Sequence, residues 1–177
     1  MNGKLAVGIL FIGTLSACRP QVETGSPSPA GRATLRNASG ATIGVLLLTP
    51  STGGIRITGG LAALPAGSHG IHLHQVGKCD APDFATAGAH LNPTGLHHGL
   101  ENPIGPHAGD LPNITASSSG TATVDLSTPR VSLDGSAAGV FDADGTAIVV
   151  HAAPDDQKTD PSGNSGARIA CGVIERP

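Results

Sequence analysis

Tryptophan and tyrosine are absent from the 177 residues, phenylalanine occurs three times and methionine once. A core in this chain must be aliphatic, built on Ile, Val, Leu and Ala. Charge is scarce too: Asp, Glu, Lys and Arg make up 13%, basic residues number 10 and the formal net charge is −3. No cationic field is present to hold a phosphate backbone, which excludes nucleic acid as a partner. A coiled coil is excluded, and no segment carries a sustained helical stripe of apolar residues.

Glycine (26) and proline (14) are abundant, yet hydrophobic residues reach 38% and fall in alternating or short apolar runs. Segments 33–38, 42–48, 54–60, 70–75, 113–116, 122–127, 146–152 and 168–174 read as strands broken by Gly, Ser, Asn or Asp. Short strands joined by glycine-rich turns predict an all-β fold, an eight-stranded antiparallel Greek-key barrel or sandwich. Two connections, 76–112 and 153–167, are too long for idle turns and predict functional loops.

The N-terminus is read apart from the fold. Lys4 precedes an apolar run over residues 5–15, too short to span a bilayer, which ends Leu15-Ser16-Ala17-Cys18. This resembles a bacterial lipoprotein signal, in which the cysteine is lipidated and becomes the new first residue. The expected organisation is a signal peptide over 1–17, lipidated Cys18 with a Pro/Ser/Gly linker over 18–31, and a domain over 32–177. Such a chain is exported and lipid-anchored to a bacterial membrane, facing the periplasm or the cell exterior. Arg19 after the signal resembles an outer-membrane sorting pattern. With Cys18 so used, Cys79 and Cys171 remain as an even pair in an oxidising compartment, where a disulfide is the default.

Eight histidines outnumber the phenylalanines and need a reason. His72 and His74 stand two apart in one predicted strand, so both imidazoles share a face while Ile71 and Leu73 point the other way. A face with two histidines is not ordinary core. The same parity places His69 on the Ile71 side, as a structural histidine. In a later strand Val149 and His151 share a face, and the first long loop adds His90, His97, His98, His107 and Asp110. Neutral imidazole suits copper and zinc, and no thiolate set or carboxylate cage competes with it. The residues predict a metal site.

The segments Gly70-Ile-His-Leu-His-Gln-Val-Gly-Lys-Cys79, Ala87-Gly-Ala-His-Leu-Asn-Pro93, His98-Gly99, His107-Ala-Gly-Asp-Leu-Pro-Asn113, Val149-Val-His151, Pro154-Asp-Asp156 and Gly163-Asn-Ser-Gly-Ala-Arg-Ile-Ala-Cys-Gly-Val-Ile174 resemble the copper-zinc superoxide dismutase family, in its bacterial, lipoprotein-type form. The resemblance covers 32–177. It implies one copper per subunit on His72, His74, His90 and His151, and one zinc on His90, His98, His107 and Asp110. His90 then bridges the metals. The resemblance prefers His98 to His97, because it lies eight residues after His90 and precedes Gly99, as the family pattern requires. Asp155 resembles the aspartate that bonds one histidine on each metal, Arg168 the arginine beside copper, and Cys79 with Cys171 the family disulfide.

The implied activity is dismutation of superoxide to oxygen and hydrogen peroxide, with His90 and Arg168 as catalytic residues. The competing reading is an exported module that binds or delivers copper on the same fold with little turnover. Expected partners are the superoxide anion and, through the N-terminal lipid, a membrane; the subunit is a monomer or a homodimer. The second long loop departs from common family members in being short and poorly charged, chiefly Lys158 and Asp160.

Overall fold

The computed structural model describes Gly3 and residues 27–177; the expected leader otherwise, Cys18 and the linker up to residue 26 lie outside the described residues. Nine strands follow in chain order: β1 Gly31–Asn37, β2 Thr42–Ser51, β3 Gly54–Leu61, β4 Gly67–His69, β5 Ile71–His74, β6 Ile114–Ala116, β7 Ala122–Thr128, β8 Ala147–His151 and β9 Arg168–Glu175. Among the described residues the one helical piece is a 3-10 turn, Ala85–Ala87. Seven strands form a curled antiparallel sheet in the order β5-β8-β9-β1-β2-β3-β7, and β4 pairs with β6. Strand β9 returns to lie beside β1, the long-range closure of a Greek key.

The strand predicted over 70–75 is β5, Ile71–His74, and across Gly70 a separate strand, β4, precedes it that the sequence pattern does not predict. The Gly70 N–H donates to the Ala153 carbonyl (2.9 Å) and its own carbonyl accepts from the His151 N–H (2.8 Å). The main chain thus changes partner there, from β6 before the glycine to β8 after it. A Cβ on Gly70 would lie 3.0 Å from the Ser165 Cβ and 3.2 Å from the His72 ring, so the crossing is too tight for a side chain.

Period-two burial follows the alternation in the sequence. Ala33 and Leu35 are buried between exposed Arg32 and Arg36, and Ile55 and Ile57 flank exposed Arg56. The main core is aliphatic, with Leu46, Leu48, Ile71, Leu73, Ile148 and Val150 fully buried. Each such side chain contributes about 1.5–3 kcal/mol by leaving water. A second, smaller core joins Phe84 and Ala87 of the first long loop to Ala147, Val149 and Cys171, with Cys79 against it. The disulfide Cys79–Cys171 closes a separation of 92 residues across this cluster. By chain entropy such a link contributes about 4–5 kcal/mol, and it fastens the loop to β9.

A third long connection, residues 129–146 between β7 and β8, stands beside the two expected ones. Val131 and Val140 seal it into the main core.

Candidate metal centre

Strands β5 and β8 are adjacent and antiparallel, with His72 opposite Val149 and His74 opposite Ala147. Both faces of β5 are buried: Ile71 and Leu73 enter the core, and the long loops cover His72 and His74. His151 follows a register shift after Val150, and the bridge His74↔His90 brings the loop against β5.

In these four rings one nitrogen meets a fixed oxygen. His72 Nε2 donates to Asp155 Oδ2 (2.7 Å), His74 Nδ1 to the Gly88 carbonyl (2.9 Å), His90 Nδ1 to Asp110 Oδ1 (2.9 Å) and His151 Nδ1 to the Gly166 carbonyl (3.2 Å). The remaining nitrogens, His72 Nδ1 and the Nε2 atoms of His74, His90 and His151, are buried without a partner. They lie within 4.8 Å of one another. A ring that donates through one nitrogen presents a lone pair at the other. Burial, against the opposing bond to Asp155, lowers the His72 pKa to about 3, and burial lowers His151 to about 4 and His74 well below its usual value. Burial also lowers His90, more than Asp110 raises it. Four converging lone pairs on neutral rings, with no donor among them, are costly unless a cation fills the space between them.

The second set lies in the first long loop. Asp110 Oδ2 accepts the main-chain N–H groups of Gly99 (2.8 Å) and His107 (2.9 Å). Its Oδ1 faces the Nδ1 atoms of His90, His98 and His107 at 2.9, 3.0 and 3.3 Å. His107 Nδ1 makes no hydrogen bond. Three ring nitrogens and one carboxylate oxygen around one point are a donor set that could hold a four-coordinate ion. Burial disfavours charge on His98, but Asp110 and Asp155 outweigh it and raise its pKa to about 9. Burial opposes ionisation of Asp110 as well, yet His90, His98 and the Gly99 N–H hold it far below the usual carboxylate range.

Asp155 lies between the sets. Its Oδ2 accepts from His72 and its Oδ1 from His98 Nε2 (3.0 Å). His72, His98 and Asp155 also approach within 4.8 Å, but both rings donate there and leave no lone pair for an ion. The His72 and His98 bonds, with the Gln157 N–H, hold Asp155 ionised against its burial, well below the usual range.

Two residues that the sequence reading passes over complete this frame. Asn113 accepts the Asp155 N–H and donates to the Asp155 carbonyl, each at 2.8 Å, as a neighbouring strand would. Gly163, at φ 62°, packs so closely that a Cβ would stand 1.8 Å from Asp155 Oδ1. Both fall inside quoted motifs, but nothing in their type announces a role.

Arg168 starts β9 and donates to the carbonyls of Phe84 and Gly88, both at 2.6 Å. The Gly88 carbonyl also orients His74. His69 is buried beside β8, with ring nitrogens 2.8 Å from the carbonyls of His151 and Pro65, and takes no part in either set. His97 is exposed and pairs with Asp160, whose other oxygen accepts the His98 N–H.

Fold and site together define a β-barrel metalloprotein with two imidazole-rich sites that share one histidine. Residues 42–174 match the family model described as copper/zinc superoxide dismutase (SODC), and the chain belongs to that family. It is 45% identical over 141 residues to Cu-Zn superoxide dismutase 1 of Aquifex aeolicus, covering 78% of this chain and 83% of the relative. Against the Cu-Zn superoxide dismutase of Caulobacter vibrioides the figures are 44% over 146 residues, 81% and 84%. The crystal structure of a SOD-like protein from Bacillus subtilis superposes with a TM-score of 0.77 at 40% identity, over 80% of this chain and 96% of that one.

Proposed function

We propose that this chain dismutates superoxide, with copper held by His72, His74, His90 and His151 and zinc by His90, His98, His107 and Asp110. The observation that carries the reading is the pair of donor sets meeting in one ring, His90, whose unpartnered Nε2 faces one set and whose Nδ1, bonded to Asp110 Oδ1 while no ion is held, faces the other. Neutral imidazoles and a single carboxylate suit copper and zinc, and no thiolate contributes to either set. When bound, copper supplies a one-electron redox couple and zinc a fixed positive charge.

The residues do the rest. Two superoxide anions and two protons give one oxygen and one hydrogen peroxide, so a proton must be held close to the reacting anion. His90 would supply that position: its Nε2 is buried and has no other partner, so it can take up a proton whenever it is not holding copper and pass it to the anion. Asp155 holds His72 and His98 in fixed tautomers, and Gly88 does the same for His74. Arg168 lines a depression with Pro82, Asp83 and Gly166, where its permanent charge attracts and orients a small anion. The net charge is negative, so this attraction is local.

Metal content and superoxide consumption of the copper- and zinc-loaded protein, beside His90→Ala, test the reading. Stoichiometric metal with rapid turnover, and loss of coupling between the metals in the variant, are expected. Stoichiometric copper without turnover would instead establish the copper-delivery alternative. Arg168→Glu is expected to keep both metals, lower the rate and weaken its dependence on salt; normal turnover removes Arg168 from the mechanism.

Export and lipid anchoring through Cys18 belong to the same proposal, supported by the apolar run and Leu15-Ser16-Ala17-Cys18. Two or more acyl chains give stable anchoring. Cys18→Ser is expected to release the protein from the membrane fraction; retention there refutes the anchor.

A further inference from the structure

We propose that Arg130 is a positioning residue for the zinc set, holding the main-chain carbonyls of His107 and Asp110 through one guanidinium. The proposal rests on the reading of that set as a zinc site. Arg130 Nη2 donates to the Asp110 carbonyl at 2.5 Å and Nε to the His107 carbonyl at 3.3 Å. Those residues open and close one turn, in which the Asp110 N–H reaches the His107 carbonyl at 3.4 Å. A guanidinium carries its donors in a fixed plane, so two bonds to the two ends of a turn fix its rotation as well as its place.

Rotation of this turn decides where the Asp110 carboxylate points. Oδ2 is fastened to main-chain N–H groups of Gly99 and His107, and Oδ1 is the atom left facing the three imidazoles. Moving the main chain at 107 or 110 therefore moves Oδ1 out of the set. Arg130 is anchored in the barrel rather than in the loops that carry the ligands. Its own N–H donates to Thr128 Oγ1 (3.2 Å) at the end of β7, and Val131 after it is 2% exposed in the main core. Among the described residues it is the one cationic side chain bonded to this turn. It reaches the turn from the connection 129–146, which supplies no member of either donor set.

The test compares wild type, Arg130→Ala and Arg130→Lys, with copper in the first set and cobalt(II) or zinc in the second. Zinc affinity is read by chelator competition, the second set by the visible cobalt spectrum, and the first by copper paramagnetic resonance. Arg130→Ala is expected to lose about tenfold or more in zinc affinity and to shift the cobalt spectrum, with copper still bound stoichiometrically in the first set. Lysine keeps the charge but not the two-point grip, and is expected to fall between. Unchanged zinc affinity and cobalt spectrum in Arg130→Ala, or in Arg130→Lys if the alanine variant does not fold, overturn the proposal even where thermal stability drops. Absence of stoichiometric zinc or cobalt in wild type sinks the zinc reading, and this proposal with it.

Discussion

Three of the four nitrogens in the first donor set come from strands β5 and β8, whereas all four atoms of the second come from the irregular segment between β5 and β6. The strand rings are aimed by ladder register and need one hydrogen bond each to set the tautomer. The loop atoms have no ladder behind them. They are held by a saturated network: two N–H groups on Asp110 Oδ2, the Asp155 bridge, and Asn113 mimicking a strand for Asp155. A sheet supplies precision through its backbone, and a loop must obtain it from side chains, which makes the loop half easier to break by single substitutions.

The largest test of this contrast is Asp155→Ala, because Asp155 serves both halves. Without it, His72 Nε2 and His98 Nε2 lose their acceptors in a buried place. Both metals are expected to bind at least about tenfold more weakly. The loop half should suffer more, since His72 keeps its strand while the His98 ring keeps only the contact to Asp110. Equal losses at the two sites, read by metal competition, would contradict the contrast. Gly163→Ala, which drives a methyl group against the same carboxylate, is expected to reproduce the ordering more mildly.

Acid and alkali should separate the halves in the metal-free protein. His72 and His151, with pKa values lowered to about 3 and about 4, resist protonation that the unfolded chain accepts near 6.5. The unfolded state therefore binds more protons as pH falls, and each ring costs about 1.4 kcal/mol of stability per pH unit below 6.5 until its folded value is reached. His98 has the opposite sign. Raised to about 9, it holds a proton that the unfolded chain has released, so its contribution is complete below 6.5 and is lost as pH rises through 9. Denaturant midpoints from pH 5 to 9 are expected to trace a dome. His151→Gln should flatten the acid arm and His98→Gln the alkaline one; an alkaline arm that survives in His98→Gln would refute the assignment.

The same contrast governs what was legible from residues alone. Parity in Ile71-His72-Leu73-His74 gives the strand half directly, because a period of two converts spacing into a shared face. The aliphatic core and the all-β architecture follow from the same alternation, and the change of strand partner at Gly70 does not, since it depends on a crossing between chain segments far apart in sequence. Residue types cannot choose between His97 and His98; only resemblance to family spacing does so, and the structure sets one inside the network and the other in solvent. Arg130 carries no local signal at all. Its value lies in reaching a turn 20 residues earlier in the chain, which a sequence pattern does not encode.

His97→Ala is the smallest expected effect and the cleanest control, since it removes an imidazole one position from the network. The His97–Asp160 pair has side chains 54% and 40% exposed, and contacts so open to solvent add little to stability. Asp160 loses one partner but still accepts the His98 N–H, so His98 keeps its main-chain tether. The variant should retain both metals and its turnover, with stability little changed. His98→Ala at the neighbouring position should lose zinc. If His97→Ala instead weakens zinc as much as Asp155→Ala does, exposure does not mark the edge of the network, and the loop half extends to the surface through Asp160.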